Sequence, residues 1–230
     1  MNTQELKQGF KDSFPIILGY LPLGFTFGVL ARDAGLSLLQ AVAMSVLCFT
    51  GAGQFIAAGM FKAGGSLIAI ILTNLLVNLR YALFAASTVP YLRERIPPAL
   101  AAALSYGLTD EVYAVSMNRY RRHPAATPYL AALVACSHLG WIGSTLAGAL
   151  LGSFISSTDR LGLNFALPAM YISLLIILLR RRSHIYAALA AACTALLVGQ
   201  LFPSTMANKF NIIAATLVGA TLGVIWDERR

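Results

Sequence analysis

Apolar runs long enough to cross a lipid bilayer follow one another along nearly the whole chain, each bounded by Lys or Arg clusters, Pro or Gly. A helix crossing roughly 30 Å of hydrocarbon needs about 20 such residues. Eight runs come near that length, at 14–31, 38–61, 66–89, 98–117, 128–151, 165–179, 185–202 and 211–226. They predict an all-α integral membrane protein with about eight transmembrane helices, organised as a single polytopic domain over 1–230 with no soluble domain. Composition agrees. Only 11% of residues are charged, under half the roughly 25% of an average soluble domain, and the mean hydropathy is +0.72. The sixth run is the shortest, so the count is most sensitive there.

The net charge of +8 does not point to nucleic acid, because the basic residues sit in short clusters between apolar runs and not on a folded, water-exposed face. Cys48, Cys136 and Cys193 lie far apart inside apolar sequence, with no CxxC spacing; they read as small buried side chains, not as a disulfide framework or zinc site. The first run is not read as a cleaved signal. It is longer than an ordinary signal core, carries Pro22 and a Gly24-x-x-x-Gly28 spacing, and is followed by seven more runs. No phosphate-binding loop, nucleophile elbow or H-E-x-x-H is present, so neither ATP hydrolysis nor the commonest hydrolytic chemistry is expected, and no cofactor is implied.

Lys and Arg in short loops set orientation. With eight crossings, Lys7, Lys11, Lys62, Arg119, Arg121, Arg122, Arg180, Arg181, Arg182, Arg229 and Arg230 share the N-terminal side, against Arg32, Arg93, Arg95, Arg160 and Lys209 on the other. Both termini are therefore expected in the cytoplasm. Helices in lipid approach closely through small residues: Gly24 and Gly28 in the first run, Gly140, Ser144, Gly148 and Gly152 in the fifth, and Gly219 and Gly223 in the eighth. At an offset of 146, Leu21-Pro22 falls on Leu167-Pro168 and Gly53-Gln54 on Gly199-Gln200. That register carries the first run onto the sixth and is consistent with an inverted 3+2+3 repeat with discontinuous helices, a common transporter plan.

Ionisable groups inside spans cost about 2.5–3.5 kcal/mol each at the helix centre, so each asks for a partner or a use. Arg80, Asp110, Glu111 and His138 are the four inside spans. Counting 1.5 Å per residue, Arg80 and Asp110 reach the same depth near the midplane, and Arg80 can pair with Asp110 or Glu111. Two carboxylates facing one guanidinium leave a spare negative charge for a substrate ammonium or a proton. Asn74, Asn78 and Tyr81 share one face of the third run, whereas Thr73 and Arg80 share another; either the helix lines two cavities or it is unwound there. Gly51 and Gly53 weaken the second run, and a break would aim free N–H groups at an anionic ligand, with Gln54 adding an amide. His138 is either a proton carrier or a packing residue, and His123 and His184 belong to basic loops.

Several of these segments resemble one family, the AzlC-type large subunit of two-component branched-chain amino acid exporters. The carriers are Gly19-Tyr20-Leu21-Pro22-Leu23-Gly24 with Phe27-Gly28, Phe49-Thr50-Gly51-Ala52-Gly53-Gln54-Phe55, Asn78-Leu79-Arg80-Tyr81, Thr109-Asp110-Glu111 and Phe165-Ala166-Leu167-Pro168-Ala169-Met170. The family often has His where this chain has Tyr81 and Ala where it has Thr50, so no imidazole role carries over to position 81. The resemblance implies a secondary transporter exporting Val, Leu, Ile and also Met across the bacterial cytoplasmic membrane, with a small AzlD-type membrane subunit as partner. Arg80, the break at Gly51 and Gly53, Asp110 or Glu111, and the aromatic residues Phe25, Phe27 and Phe55 supply the points that a zwitterion with an apolar side chain needs. The same polar groups suit a carrier of another small solute or a structural membrane subunit.

Overall fold

The computed structural model describes residues 2–152, 181–203 and 210–228, with isolated positions between 165 and 179. All regular structure among these residues is helical: α1 (Asn2–Asp33), α2 (Leu38–Leu47), α3 (Gly51–Lys62), α4 (Leu67–Leu92), α5 (Pro98–Ser105), α6 (Asp110–Tyr120), α7 (Thr127–Leu151), α8 (Arg182–Leu201) and α9 (Phe210–Glu228). The all-α membrane class is as expected. The chain divides into two compact units, 1–166 and 167–230, each described by itself.

Among the described residues four helices are long and apolar enough to cross a membrane: α1, α4, α7 and α8. The second and fourth apolar runs do not form such helices. Each is cut in two, at Cys48–Thr50 and at Tyr106–Thr109, and the contacts show that each folds back on itself. α1 and α3 run in the same direction, since Phe27 meets Phe55 with ring centroids 5.8 Å apart and, towards both C-terminal ends, Lys62 Nζ meets Asp33 Oδ2 at 2.6 Å. α3 and α4 run antiparallel, with Thr50 bonded to Asn78 and Gly53 set against Asn74. α4 and α6 again run together: Arg80 pairs with Asp110, Phe84 stacks on Tyr113 at 4.3 Å, and Tyr91 lies beside Tyr120 at 6.1 Å.

These directions make α2–α3 and α5–α6 re-entrant hairpins. α1 runs from an N-terminal face to a distal face; α2 dips inward from the distal face, and α3 returns to it. α4 then crosses back. α5 enters from the N-terminal face, and α6 returns to that face, where α7 begins. Within 2–152, the second and fourth of the expected crossings are helical hairpins instead of single long helices. A run of about 20 apolar residues has the length of one crossing or of two half-crossings, and composition cannot separate the two. Basic residues become more one-sided in the observed arrangement. Within 1–152 the N-terminal face takes Lys7, Lys11, Arg93, Arg95, Arg119, Arg121 and Arg122, and the distal face only Arg32 and Lys62.

α1 starts at Asn2 instead of 14, because its first turns have partners: Glu5 accepts both hydrogen bonds of Arg119 Nη2 (2.9 and 2.8 Å), and Asp12 accepts from Tyr129 Oη at 3.0 Å. Pro15 and Pro22 lie within it. The small residues pack where they were expected to. A Cβ on Gly28 would strike the Thr145–Ala149 backbone, one on Gly148 would meet Phe25 backbone atoms, and one on Gly24 would meet Ser144. α1 and α7 therefore lie backbone to backbone, running parallel. In the second unit α8 and α9 pair antiparallel through Gly219 on Ala191 and Gly223 on Ala187, closed at one end by Tyr186 and Trp226. The Leu167–Pro168 part of the offset-146 repeat falls on residues of which Leu167 lies outside those described. Most of the sixth run, 165–179, does as well.

Candidate functional site

Each hairpin breaks where its returning limb can be capped. Thr50 is the N-cap of α3, its Oγ1 accepting from Gly53 N–H at 3.4 Å; Thr109 is the N-cap of α6, accepting from Val112 N–H at 3.3 Å. A side-chain oxygen at this position satisfies one of the donors a helix start leaves over. Two half-helix N-termini thus end in the interior. They differ in charge: α3 has no acidic residue in its first turn, whereas α6 has Asp110 and Glu111.

α4 passes between the tips as one continuous helix and shows a different face to each. Towards α3, Asn78 Oδ1 accepts from Thr50 Oγ1 at 2.8 Å and Tyr81 Oη donates to Thr50 Oγ1 at 3.2 Å. A Cβ on Gly53 would collide with Asn74 Oδ1 and lie 3.1 Å from Asn78 Nδ2; the glycine is what lets these amides approach. Towards α6, Arg80 Nη2 lies 3.0 Å from Asp110 Oδ2, with both side chains partly accessible. Arg80 also reaches Tyr81 Oη at 3.4 Å. Of the two carboxylates open to Arg80, Asp110 forms the pair. Glu111 turns the other way and accepts from Tyr20 Oη at 2.9 Å. Tyr20 Oη is also 2.6 Å from Thr109 Oγ1; since the single tyrosine proton goes to Glu111, Thr109 is the donor in that bond.

Gln54 and His138 are placed differently from this group. Gln54 is almost wholly buried; its Oε1 accepts from Trp141 Nε1 at 2.7 Å, and its Nε2 donates to Ser45 Oγ at 3.0 Å, which also meets Thr145 Oγ1. His138 Nε2 donates to the Ser45 carbonyl at 2.8 Å while its ring stacks on Phe49 at 4.3 Å. That carbonyl lies in the last turn of α2, where backbone acceptors lose their helical donors. The next, Val46 C=O, accepts from Tyr106 Oη at 2.6 Å, so the first hairpin's tip is tied to the second's. A Cβ on Gly51 would touch Trp141 at 3.1 Å.

Phe27 and Phe55 are buried against each other, and Phe27 also stacks on Trp141. The apolar surface beside the ion pair is instead Phe84 stacked on Tyr113, one turn along from Arg80 and Asp110. Sequence reasoning passed over Tyr20, Thr109, Phe84 and Tyr113 as site residues. A threonine followed by two acids, as in Thr109-Asp110-Glu111, is a helix-start signal lying in the middle of an apolar run. Phe84 and Tyr113 are four and three residues beyond the paired charges. Among the described residues no group of three or more His, Cys, Asp or Glu is placed to hold a metal.

A family model described as AzlC protein matches residues 15–155, which take in both hairpins and all of these side chains. This chain belongs to the AzlC family. It is a membrane protein, as are the relatives it matches along most of their length. An uncharacterized membrane protein of Archaeoglobus fulgidus is 35% identical over 96% of this chain and 94% of its own. The inner membrane protein YgaZ of Escherichia coli K12 is 31% identical over 95% and 87%. The branched-chain amino acid transport protein AzlC of Bacillus subtilis is 27% identical over 97% and 85%. No solved structure matches. Thr50 and Tyr81, the two positions set apart above from the usual AzlC pattern, are bonded to each other.

Proposed function

We propose that this chain is a secondary transporter that exports branched-chain amino acids, Val, Leu and Ile with Met as a further substrate, across the cytoplasmic membrane. The observation that carries the reading is the Arg80–Asp110 pair held at 3.0 Å between two half-helix N-termini. A zwitterion fits that arrangement in one sense. Its carboxylate takes Arg80 and the first-turn N–H groups of Gly51 and Ala52, which have no partner within the helix and a positive dipole end unopposed by any acid. Gly53, Asn74, Asn78 and Tyr81 shape that side. The ammonium takes Asp110, with Glu111 beyond, and the branched side chain lies on Phe84 and Tyr113. In this reading Gln54 and His138 hold the first hairpin in place.

Excess basic charge on the N-terminal face makes that face cytoplasmic. A proton bound by one of the two carboxylates removes the charge that holds the ammonium, which couples substrate release to a proton gradient. A small AzlD-type membrane subunit completes the transporter, as the family resemblance implies. Vesicles holding the chain and such a subunit should expel labelled valine or leucine and stop when a protonophore collapses the gradient. Asp110→Asn should abolish export with membrane insertion intact. Export that ignores the protonophore rejects proton coupling; no export of any branched-chain residue by inserted, partnered protein rejects the substrate. An Arg80→Ala, Asp110→Ala double variant that regains export would make the pair structural.

A further inference from the structure

The unit 1–166 contains one arrangement twice, in opposite orientations. α1 crosses to the distal face and is followed by a hairpin that dips from that face; α4 crosses back and is followed by a hairpin that dips from the N-terminal face. Each returning limb begins on a threonine N-cap with the same bond to the backbone N–H three residues on. Each of those threonines is bonded to a tyrosine well inside a crossing helix, and in both cases that helix belongs to the other copy: Tyr81 of α4 holds Thr50 at 3.2 Å, and Tyr20 of α1 holds Thr109 at 2.6 Å. Tyr81 follows Tyr20 by 61 residues and Thr109 follows Thr50 by 59.

We infer that this unit is an inverted repeat of a crossing helix plus a re-entrant hairpin, and that Tyr20 and Tyr81 are positioning residues, each latching the hairpin of the other copy. Tyr20 closes the way in from the N-terminal face and Tyr81 the way in from the distal face. The chemistry suits a latch. The Tyr81 latch is a bond between hydroxyls, whereas at Tyr20 the same hydroxyl also donates to Glu111 of the hairpin it holds; in both the threonine keeps its backbone bond, so the half-helix cap survives release. The N-terminal-face hairpin also borders a cavity of about 570 Å³, with Pro15 of α1 facing Ala114 and Val115 of α6, one turn short of Glu111. Opening the Tyr20–Thr109 bond extends that cavity to the tip. This inference needs no substrate and stands apart from the amino acid reading.

The test places one reporter cysteine on each tip, at the buried positions Leu108 and Phe49, after Cys48, Cys136 and Cys193 are replaced by Ala. A membrane-impermeant thiol reagent is applied from either face of oriented vesicles, with the small subunit present. The net worth of a typical hydrogen bond corresponds to about fivefold in an opening equilibrium. Tyr20→Phe, which also removes the bond to Glu111, should therefore speed labelling of Leu108→Cys from the N-terminal face by at least that factor and leave Phe49→Cys from the distal face unchanged. Tyr81→Phe should do the converse. Thr109→Val and Thr50→Val also break the latches, together with the cap bonds to Val112 and Gly53 and, at Thr50, the bond to Asn78; they keep the test open if a tyrosine variant is not inserted, and each should speed its own reporter and leave the other unchanged. Equal acceleration of both reporters by either tyrosine change, or acceleration of neither, overturns the inference.

Discussion

Gly148 and Gly143 lie five residues apart on α7, and replacing each by Ala should move stability in opposite directions. A Cβ at Gly143 meets nothing within 4 Å, whereas one at Gly148 would lie 2.7 Å from the Phe25 carbonyl carbon and 2.8 Å from its Cα. Carbon atoms pack at about 3.5–4.0 Å, so α1 and α7 must part locally by about 0.8 Å. No side chain can swing aside to relieve this, because the struck atoms are backbone. A gap of that size forfeits a quarter to a half of each dispersion contact it opens, and overpacking costs roughly 1–3 kcal/mol. Against this, Ala gains up to about 1 kcal/mol of helix propensity over Gly. Gly148→Ala should lose about 1–2 kcal/mol net and Gly143→Ala should be neutral or slightly stabilising. At about 2–4 °C per kcal/mol for a chain of this size, Gly148→Ala lowers the unfolding midpoint of the purified protein by roughly 2–8 °C. The midpoint is read from dye-detected or chromatographic melting in mild detergent. Equal midpoints for the two variants would refute the backbone-to-backbone packing of α1 on α7.

Two further predictions follow from topology and from the buried amide. Single cysteines at Gly64 and Glu94, probed from outside intact cells, should label at 64 and not at 94, with a third at His123 behaving like 94; eight full crossings require the reverse pattern at 64 and 94. Trp141→Phe strips the donor from Gln54 Oε1 in a site where both side chains are at most 2% exposed. An unsatisfied buried acceptor costs about 1–3 kcal/mol. The yield of folded protein should fall while the KM of what folds is unchanged, and a raised KM would place Gln54 against substrate instead.

Much of the packing was legible from residue types, because small residues at helical spacing have one main use in lipid. Gly24, Gly28, Ser144 and Gly148 meet as their spacing suggests. Depth put Arg80 level with Asp110 and left Asp110 and Glu111 both open as its partner, of which Asp110 forms the pair, although the count assumed that the fourth run is one continuous crossing. It is not, and the level comes out the same because α5 is 8 residues long and descends about 12 Å before the chain turns. The direction of the limbs was hidden, since hydropathy reports how long an apolar segment is and not which way its second half points. Lys62 and Asp33 hold that information jointly, as charges that meet only if α3 returns to the end of α1. Gly51 and Gly53 announced the first break. Around the second, Gly107 is a lone glycine, and the stronger sign was the cap and acids of Thr109-Asp110-Glu111.

The two hairpins also have an electrical consequence. Their limbs are 8 to 12 residues long, about 12–18 Å and so about half of a roughly 30 Å hydrocarbon core, which would put the ground between their tips close to halfway through the membrane's voltage drop. Moving one elementary charge across the full potential is worth about 2.3 kcal/mol per 100 mV, and reaching the tips from either face is therefore worth about 1.2 kcal/mol per 100 mV. In the proton-coupled cycle proposed above, a proton taken up at Glu111 from one face and released to the other would meet the field in two nearly equal instalments. Arg80 and Asp110 cancel as a pair at that depth, which leaves Glu111, the second acidic group of the same helix start, as the group on which the field acts.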